Sequence, residues 1–277
     1  MRRVLAAGML PALALALGAC AGEEADQPSE EDVPRTACEV AVFEDVPLTL
    51  CIADPELNTI RTALAPEQGP AWRSLAAFAA NRAPDAEPVS FAINAGMFDD
   101  DGNPIGYYVE DGERLMRLNR NDGPGNFHML PNGVFFGTNG TWRVRTTEDF
   151  FENVDRRPDF GTQSGPMLVI EGELHPDIAP DGESLRIRNA VGIDSGGRAL
   201  FVISDAPISF GKLARFYRDV LKVQNALYLD GTVSSLWVPE IDRLDSAFPI
   251  GPLIVVEKRA NAPIDGSAGG PEGTAEP

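Results

Sequence analysis

The sequence predicts an α+β domain: a mixed β-sheet core with a few flanking helices, folded as a single domain. Three observations predict it. Short apolar runs bounded by Gly, Pro, Asn and Asp recur through the middle of the chain, at lengths that suit strands. Only two stretches carry clear helical spacing. The two kinds of element follow no regular alternation, which argues against a doubly wound parallel sheet. With no internal repeat and about 220 residues between the ends, one core is large enough to hold the chain together.

The elements follow in order. Residues 1–20 open with Arg2 and Arg3, continue through an apolar run and close on Leu17-Gly18-Ala19-Cys20. The run is short for a bilayer span and has the flanks of a signal peptide, and the closing tetrapeptide matches a bacterial lipobox. Lipid on Cys20 would anchor the mature chain to a membrane without spanning it. Residues 21–35 hold six acids, two prolines and one basic residue, an acidic disordered linker by composition. The folded domain is then 36–258. Residues 259–277, rich in Ala, Gly and Pro, read as a disordered tail.

Three cysteines are an odd number for an exported chain, but lipidation of Cys20 leaves Cys38 and Cys51 as a pair. The residues around each alternate as strands joined at Glu44-Asp45-Val46-Pro47, so a bridge across that hairpin is expected. Residues 71–82 read as a helix with Trp72, Leu75, Ala76 and Ala79 on one face. Residues 89–94 are a buried strand running into Asn94-Ala95-Gly96. A hairpin is expected about Asn139-Gly140, where Asn-Gly is the turn signal, and another about Glu171-Gly172. Residues 185–193 and 199–204 are strands joined by Asp194-Ser195-Gly196-Gly197. Ser209 caps a helix to residue 221, striped by Phe210, Leu213, Ala214, Tyr217 and Val220. Residues 226–229, with Val223 just upstream, make a buried strand that ends in Asp230-Gly231, and residues 253–256 make the last strand.

The whole chain carries a net charge of −19. Setting aside +2 on 1–20, −5 on 21–35 and −2 on 259–277 leaves −14 on the folded part. Such acidity argues against nucleic acid or anionic lipid as the main partner. An anionic substrate would need a local cationic pocket. The strand period places Arg186, Arg188, Ala190, Gly192 and Asp194 on one side of 185–194. Two arginines beside small residues suit an anion held in fork geometry; a solvated edge face explains the pattern equally well.

Four clusters of small and polar residues lie at expected strand ends: Asn94 to Phe98, Gly161 to Pro166, Arg186 to Gly192, and Asp230 to Ser235. A carboxylate at a strand end beside a glycine turn is a common way to expose a reactive group. Ser164 lacks the flanking glycines of a nucleophile elbow, and only His128 and His175 could serve it as a base. Neither histidine has a partner at metal-ligand spacing. Asp99-Asp100-Asp101-Gly102-Asn103 lacks the downstream Glu of a calcium loop. No metal or cofactor is expected.

These clusters, in this order and spacing, resemble the phosphodiester glycosidase family of the N-acetylglucosamine-1-phosphodiester α-N-acetylglucosaminidases, and within it a bacterial envelope branch. The matching segments are GNFHMLPNGVFF from Gly125, TQSGPMLVI from Thr162, RNAVGI from Arg188 and NALYLDGTVSSLW from Asn225. The resemblance implies cleavage of a sugar-1-phosphodiester or related envelope glycan at the periplasmic face. Asp230 and Arg188 would then be catalytic: the carboxylate acts near the anomeric carbon and the guanidinium neutralises the departing phosphate. Asn94, Gly96, Gln163, Ser164, Asn189 and Ser234 would contact substrate, all of them converging on one pocket. One departure stands out. The characterised glycosidases carry an Asp-Gly-Gly-Gly-Ser type of turn, and here Thr232 and Val233 replace two of its glycines. A non-catalytic glycan- or partner-binding lipoprotein of the same fold is the alternative that this departure keeps open.

Overall fold

A computed structural model describes residues 37–260. The signal, linker and most of the tail expected from the sequence, with the lipidation of Cys20, fall outside those residues. Seventeen strands form three sheets whose inner faces share one core. The largest runs, in spatial order, Cys38–Phe43, Val46–Ala53, Ala199–Ser204, Asn189–Ile193, Ala226–Asp230, Met167–Ile170 and Glu173–Leu174. A second orders Arg243–Leu244, Leu236–Val238, Val89–Asn94, Leu253–Lys258 and Asn58–Ala63. The third orders Glu113–Met116, Tyr108–Glu110, Phe160–Ser164, Gly133–Thr138 and Thr141–Thr146. Neighbouring strands pair antiparallel in all three.

The core follows from strand alternation. Phe91, Phe135 and Phe201, one from each sheet, meet at the centre; Phe201 lies 5.4 Å from Phe91 and 5.6 Å from Phe135, edge to face. Each sheet covers its outer face with one short helix. Phe210–Arg215, continued by the π-helical turn Phe216–Val220, lies on the first sheet. Leu75–Ala80 packs with Trp72 and Trp237 on the second, and Thr147–Asn153 inserts Phe150 against the third. This is the α+β architecture that the irregular order of short apolar runs predicts.

Both expected hairpins form. Asn139 and Gly140 take φ of 49° and 76°, and Glu171 and Gly172 take 51° and 83°, the left-handed geometry that two-residue hairpin turns require. Cys38 and Cys51 pair directly across their two strands and are disulfide-bonded. Closing so short a loop stabilises the fold by about 3 kcal/mol in the chain-entropy account. Ser209 caps its helix as expected, its Oγ accepting from Lys212 N–H at 3.2 Å.

Two expected elements are shorter than the sequence suggests. The helix over 71–82 reduces to Leu75–Ala80 because the Trp72 N–H is spent on the Leu64 carbonyl and Arg73 sits at φ 56°. Ser74 then starts the helix, its Oγ accepting from Ala77 N–H. The strand over 185–193 forms a ladder only over Asn189–Ile193. Upstream, the backbone leaves the sheet: Arg186 makes a lone two-bond bridge with Ile208, and Arg188 N–H donates to Ser204 Oγ.

Candidate functional site

The centre of the first sheet carries Asn189–Ile193 beside Ala226–Asp230. In the second strand Leu227 and Leu229 face the shared core, while Ala226 and Tyr228 face the helix side. Asp230 closes this strand opposite Asn189, near enough for its charge to act on Tyr228. Leu229 is an extra residue in the register, since Asn189 pairs with Asp230 but Ala190 pairs with Tyr228. Such a bulge breaks the alternation of the strand and re-aims the side chain that follows it.

Asp230 is partly buried at this strand end. Its Oδ1 accepts the Gly231 N–H at 2.6 Å, and Oδ2 has no hydrogen bond to a described residue. Burial pushes the carboxyl up from 3.8 to about 6, with the Gly231 N–H pulling the other way. That range lets the group exchange a proton near neutral pH, a property typical of acid–base residues.

Arg188 is buried, with only 1% of its surface exposed. Its guanidinium lies 3.6 Å from the centre of the Phe210 ring and 5.5 Å from that of Tyr228. Nε donates to Ile208 O at 2.9 Å, Nη2 to Ser184 O and Oγ at 3.0 and 3.2 Å, and Nη1 to the Tyr228 hydroxyl at 3.4 Å. Among the described residues no carboxylate forms an ion pair with it. Burial lowers its pKa, partly offset by Tyr228. An enclosed cation facing only neutral oxygens and aromatic rings is costly to maintain without an anion. Tyr228 feels both Arg188 and Asp230; burial and the Asp230 charge raise its phenol, while Arg188 opposes them.

The sequence reading missed Tyr228, treating it as one more apolar position of the strand. Its signal is its place, two residues before Asp230 at the end of a buried strand. Gly231 completes the arrangement, since a Cβ there would come within 2.4 Å of the Tyr228 hydroxyl oxygen. Arg186 is exposed and bonds its own neighbour's carbonyl, Leu185 O, so the expected two-arginine fork is not formed. The backbone turn at the Ile208 bridge separates the two side chains.

The other expected residues meet here as a frame around Asp230. Asn189 Nδ2 donates to Asn94 Oδ1 at 2.9 Å, and Asn189 Oδ1 accepts Asp230 N–H at 2.9 Å. Asn94 Oδ1 also accepts Ser235 N–H at 2.9 Å, tying the second sheet to the turn after Asp230. Ser234 Oγ lies 2.6 Å from Gly231 O and 3.3 Å from Asn189 Oδ1, closing that turn. Ser164 Oγ donates to Leu229 O at 2.5 Å, joining the third sheet to the bulge. Gly96 is needed for close approach: a Cβ would lie 2.3 Å from Gln163 O. Asn94, Ser164 and Asn189 are buried to 1% or less, and the bonds they make hold Asp230 in place.

Gln163 stands apart. Strand alternation turns it away from Ser164, to the outer face of the third sheet. There its Oε1 accepts from Tyr107 and Asn119 N–H, and its Nε2 donates to Asn119 O and Thr147 Oγ1. Its backbone touches the Asp230 frame through Gly96, but its side chain holds the 107–119 segment and leaves no donor for a substrate. Neither histidine approaches Ser164. His128 Nδ1 is 2.8 Å from Asn121 O, and His175 Nδ1 accepts Asp177 N–H, so no serine triad forms.

Known proteins share this sequence pattern and fold. Residues 87–268 match the model of the phosphodiester glycosidase family. The chain belongs to that family. It is 32% identical over 206 residues to the uncharacterized protein YigE of Escherichia coli K12, spanning 74% of this chain and 80% of that one. Among solved structures, the fold is similar to the zebrafish N-acetylglucosamine-1-phosphodiester alpha-N-acetylglucosaminidase catalytic domain, which is auto-inhibited by pro-peptide. That match has a TM-score of 0.56 at 15% identity and covers 80% of this chain and 82% of the zebrafish one. A Burkholderia pseudomallei protein described as exported matches with a TM-score of 0.51 at 11% identity, over 76% of this chain and 74% of its own. As a phosphodiester glycosidase family member, this chain is of a hydrolase type, and the residues that frame Asp230 lie largely within the matched region.

Proposed function

We propose that this phosphodiester glycosidase homologue hydrolyses sugar-1-phosphodiester linkages, cleaving at the anomeric carbon. The observation that carries the reading is Arg188, a buried cation with no carboxylate partner among the described residues, bonded to the Tyr228 hydroxyl, which also feels the charge of an Asp230 carboxyl raised to about 6. The departing phosphate oxygens would meet the Tyr228 O–H, with the Arg188 charge behind it. Neutralised in this way, a phosphomonoester leaves readily and the sugar passes through an oxocarbenium-like state. Ionised Asp230, near enough to act on Tyr228, would stabilise that state and take a proton from the attacking water.

Val233 favours the competing reading, a protein that binds an envelope glycan without cleaving it. Where the characterised enzymes have glycine, its side chain packs against the cluster of Leu75, Phe78 and Ile250, which anchors the turn. Incubating the purified chain with a panel of sugar-1-phosphodiesters separates the two. Release of free sugar and phosphomonoester supports hydrolysis; saturable binding without release supports the alternative.

The lipobox makes the expected location the bacterial cell envelope, with the domain held at the periplasmic face by lipid on Cys20. Labelled fatty acid should enter the wild-type protein and not Cys20→Ser. Equal labelling of both would overturn the anchor.

A further inference from the structure

The far ends of the same two central strands, Ile193 and Asn225, open into a groove of about 750 Å³ that also takes in the outer strand of the third sheet. The four residue steps of strand from Asn189 to Ile193 separate it from Asp230, about 13 Å at the usual rise. The groove serves no purpose in the reaction described above, yet its lining is unusual for so acidic a chain. Arg143, Arg145 and Lys222 all border it.

Charge accounting shows which of these are available. The two acids of the lining are already engaged: Asp194 Oδ2 with Arg198 at 2.8 Å, and Asp149 Oδ1 with Arg145 at 3.4 Å and Asn153. Asp219, whose field reaches Lys222, is paired with Arg218 at 2.7 Å. Arg143 and Lys222 are exposed and have no ion pair with a described residue. Lys222 sits at φ 56° directly after the π-helical turn, which fixes where its backbone emerges. Gln224 and Asn225 add amides, and Trp142 and Ile193 supply the apolar part of the lining.

We propose that this groove is a second binding site, separate from the Asp230 centre, for an acidic saccharide, meaning sugar residues that carry a carboxylate or a phosphate. Two uncommitted cations take the anionic groups. Side-chain amides, which both donate and accept, match sugar hydroxyls. The volume lies in the range of small-ligand sites. An acidic peptide would use the cations equally but would leave the amides facing few hydroxyls.

The test is a binding titration of the full-length chain with tetragalacturonate. Its methyl-esterified form serves as the neutral control, tetraglutamate as the acidic peptide and inorganic phosphate as the bare anion. The tetragalacturonate should bind most tightly, and its affinity should fall as salt rises. The doubly substituted Arg143→Gln, Lys222→Gln protein should lose about tenfold or more in affinity, the scale of one charge-assisted contact. Asp230→Asn should bind it unchanged, and the double variant should keep its turnover on small phosphodiesters. Equal binding of the neutral ester, an unchanged affinity in the double variant or no binding by the wild type at millimolar concentration would overturn the site. Preference for tetraglutamate would reassign it to peptide.

Discussion

At the scale of single residues, Asp230 is held in a state that favours chemistry over stability. Its ionised form is penalised in the fold, because burial raises the carboxyl from 3.8 to about 6. The penalty is absent below the unfolded pKa, grows as pH rises from about 4 to 6, and is complete above that. A shift of this size corresponds to about 3 kcal/mol. Asn at this position keeps the acceptor for the Gly231 N–H and removes the charge. Asp230→Asn should therefore melt higher than the wild type at pH 7.5, with the gap closing near pH 4; equal melting at both pH values would mean that the carboxyl is not perturbed. Gly231 is the second informative position. A methyl group there meets the Tyr228 hydroxyl at 2.4 Å. Gly231→Ala should lower kcat up to about a hundredfold, as a misplaced contact in a catalytic centre does, and Tyr228→Phe should fall with it. Full activity in Gly231→Ala would remove Tyr228 from the mechanism.

At the scale of elements, strand ends from three sheets meet through Asn94, Ser164 and Asn189. Asn189 satisfies the Asp230 N–H from inside the core, so Asn189→Ala would leave that donor buried and unpaired. The expected cost is about 1–3 kcal/mol, read as a lower urea midpoint with the slope unchanged; a midpoint within error of wild type would show the bond to be dispensable. Much of this element-level design is legible in the sequence. Asn139-Gly140, the Ser209 cap and the buried run into Asp230 each carry a local signal strong enough to fix the element. The frame residues stand at strand ends beside glycine, so they too can be listed from the sequence. Their roles cannot. Whether Ser164 or Gln163 faces the centre depends on which side of the third sheet packs inward, a tertiary fact that no local pattern holds. Arg73 at φ 56° likewise cuts a convincing helical stripe in half because the Trp72 N–H is taken by the Leu64 carbonyl, outside the helical repeat.

At the scale of the whole molecule, three antiparallel sheets share one core, and each keeps one helix on its outer face. The phosphodiester glycosidase fold uses that arrangement to bring Asp230, Arg188 and their frame together from positions spread over some 140 residues. The sequence announced this convergence through four separated glycine-and-polar clusters, whereas the enclosure of Arg188 between Phe210 and Tyr228 became visible only with the helix packed on its sheet. The groove at the opposite strand ends has no sequence signature at all, because Arg143 stands on an edge strand of the third sheet and Lys222 in the loop before Ala226–Asp230, 79 positions later. The account stands or falls on Asp230 as the titrating group of a hydrolase. The decisive measurement is the pH dependence of kcat/KM on a sugar-1-phosphodiester. It should rise with pH through an apparent pKa near 6 and level off above it, and Asp230→Asn should lose the rising limb together with about 10²- to 10⁴-fold of the rate. A profile that is flat between pH 4.5 and 8, or an Asp230→Asn protein with the wild-type limb intact, would contradict it.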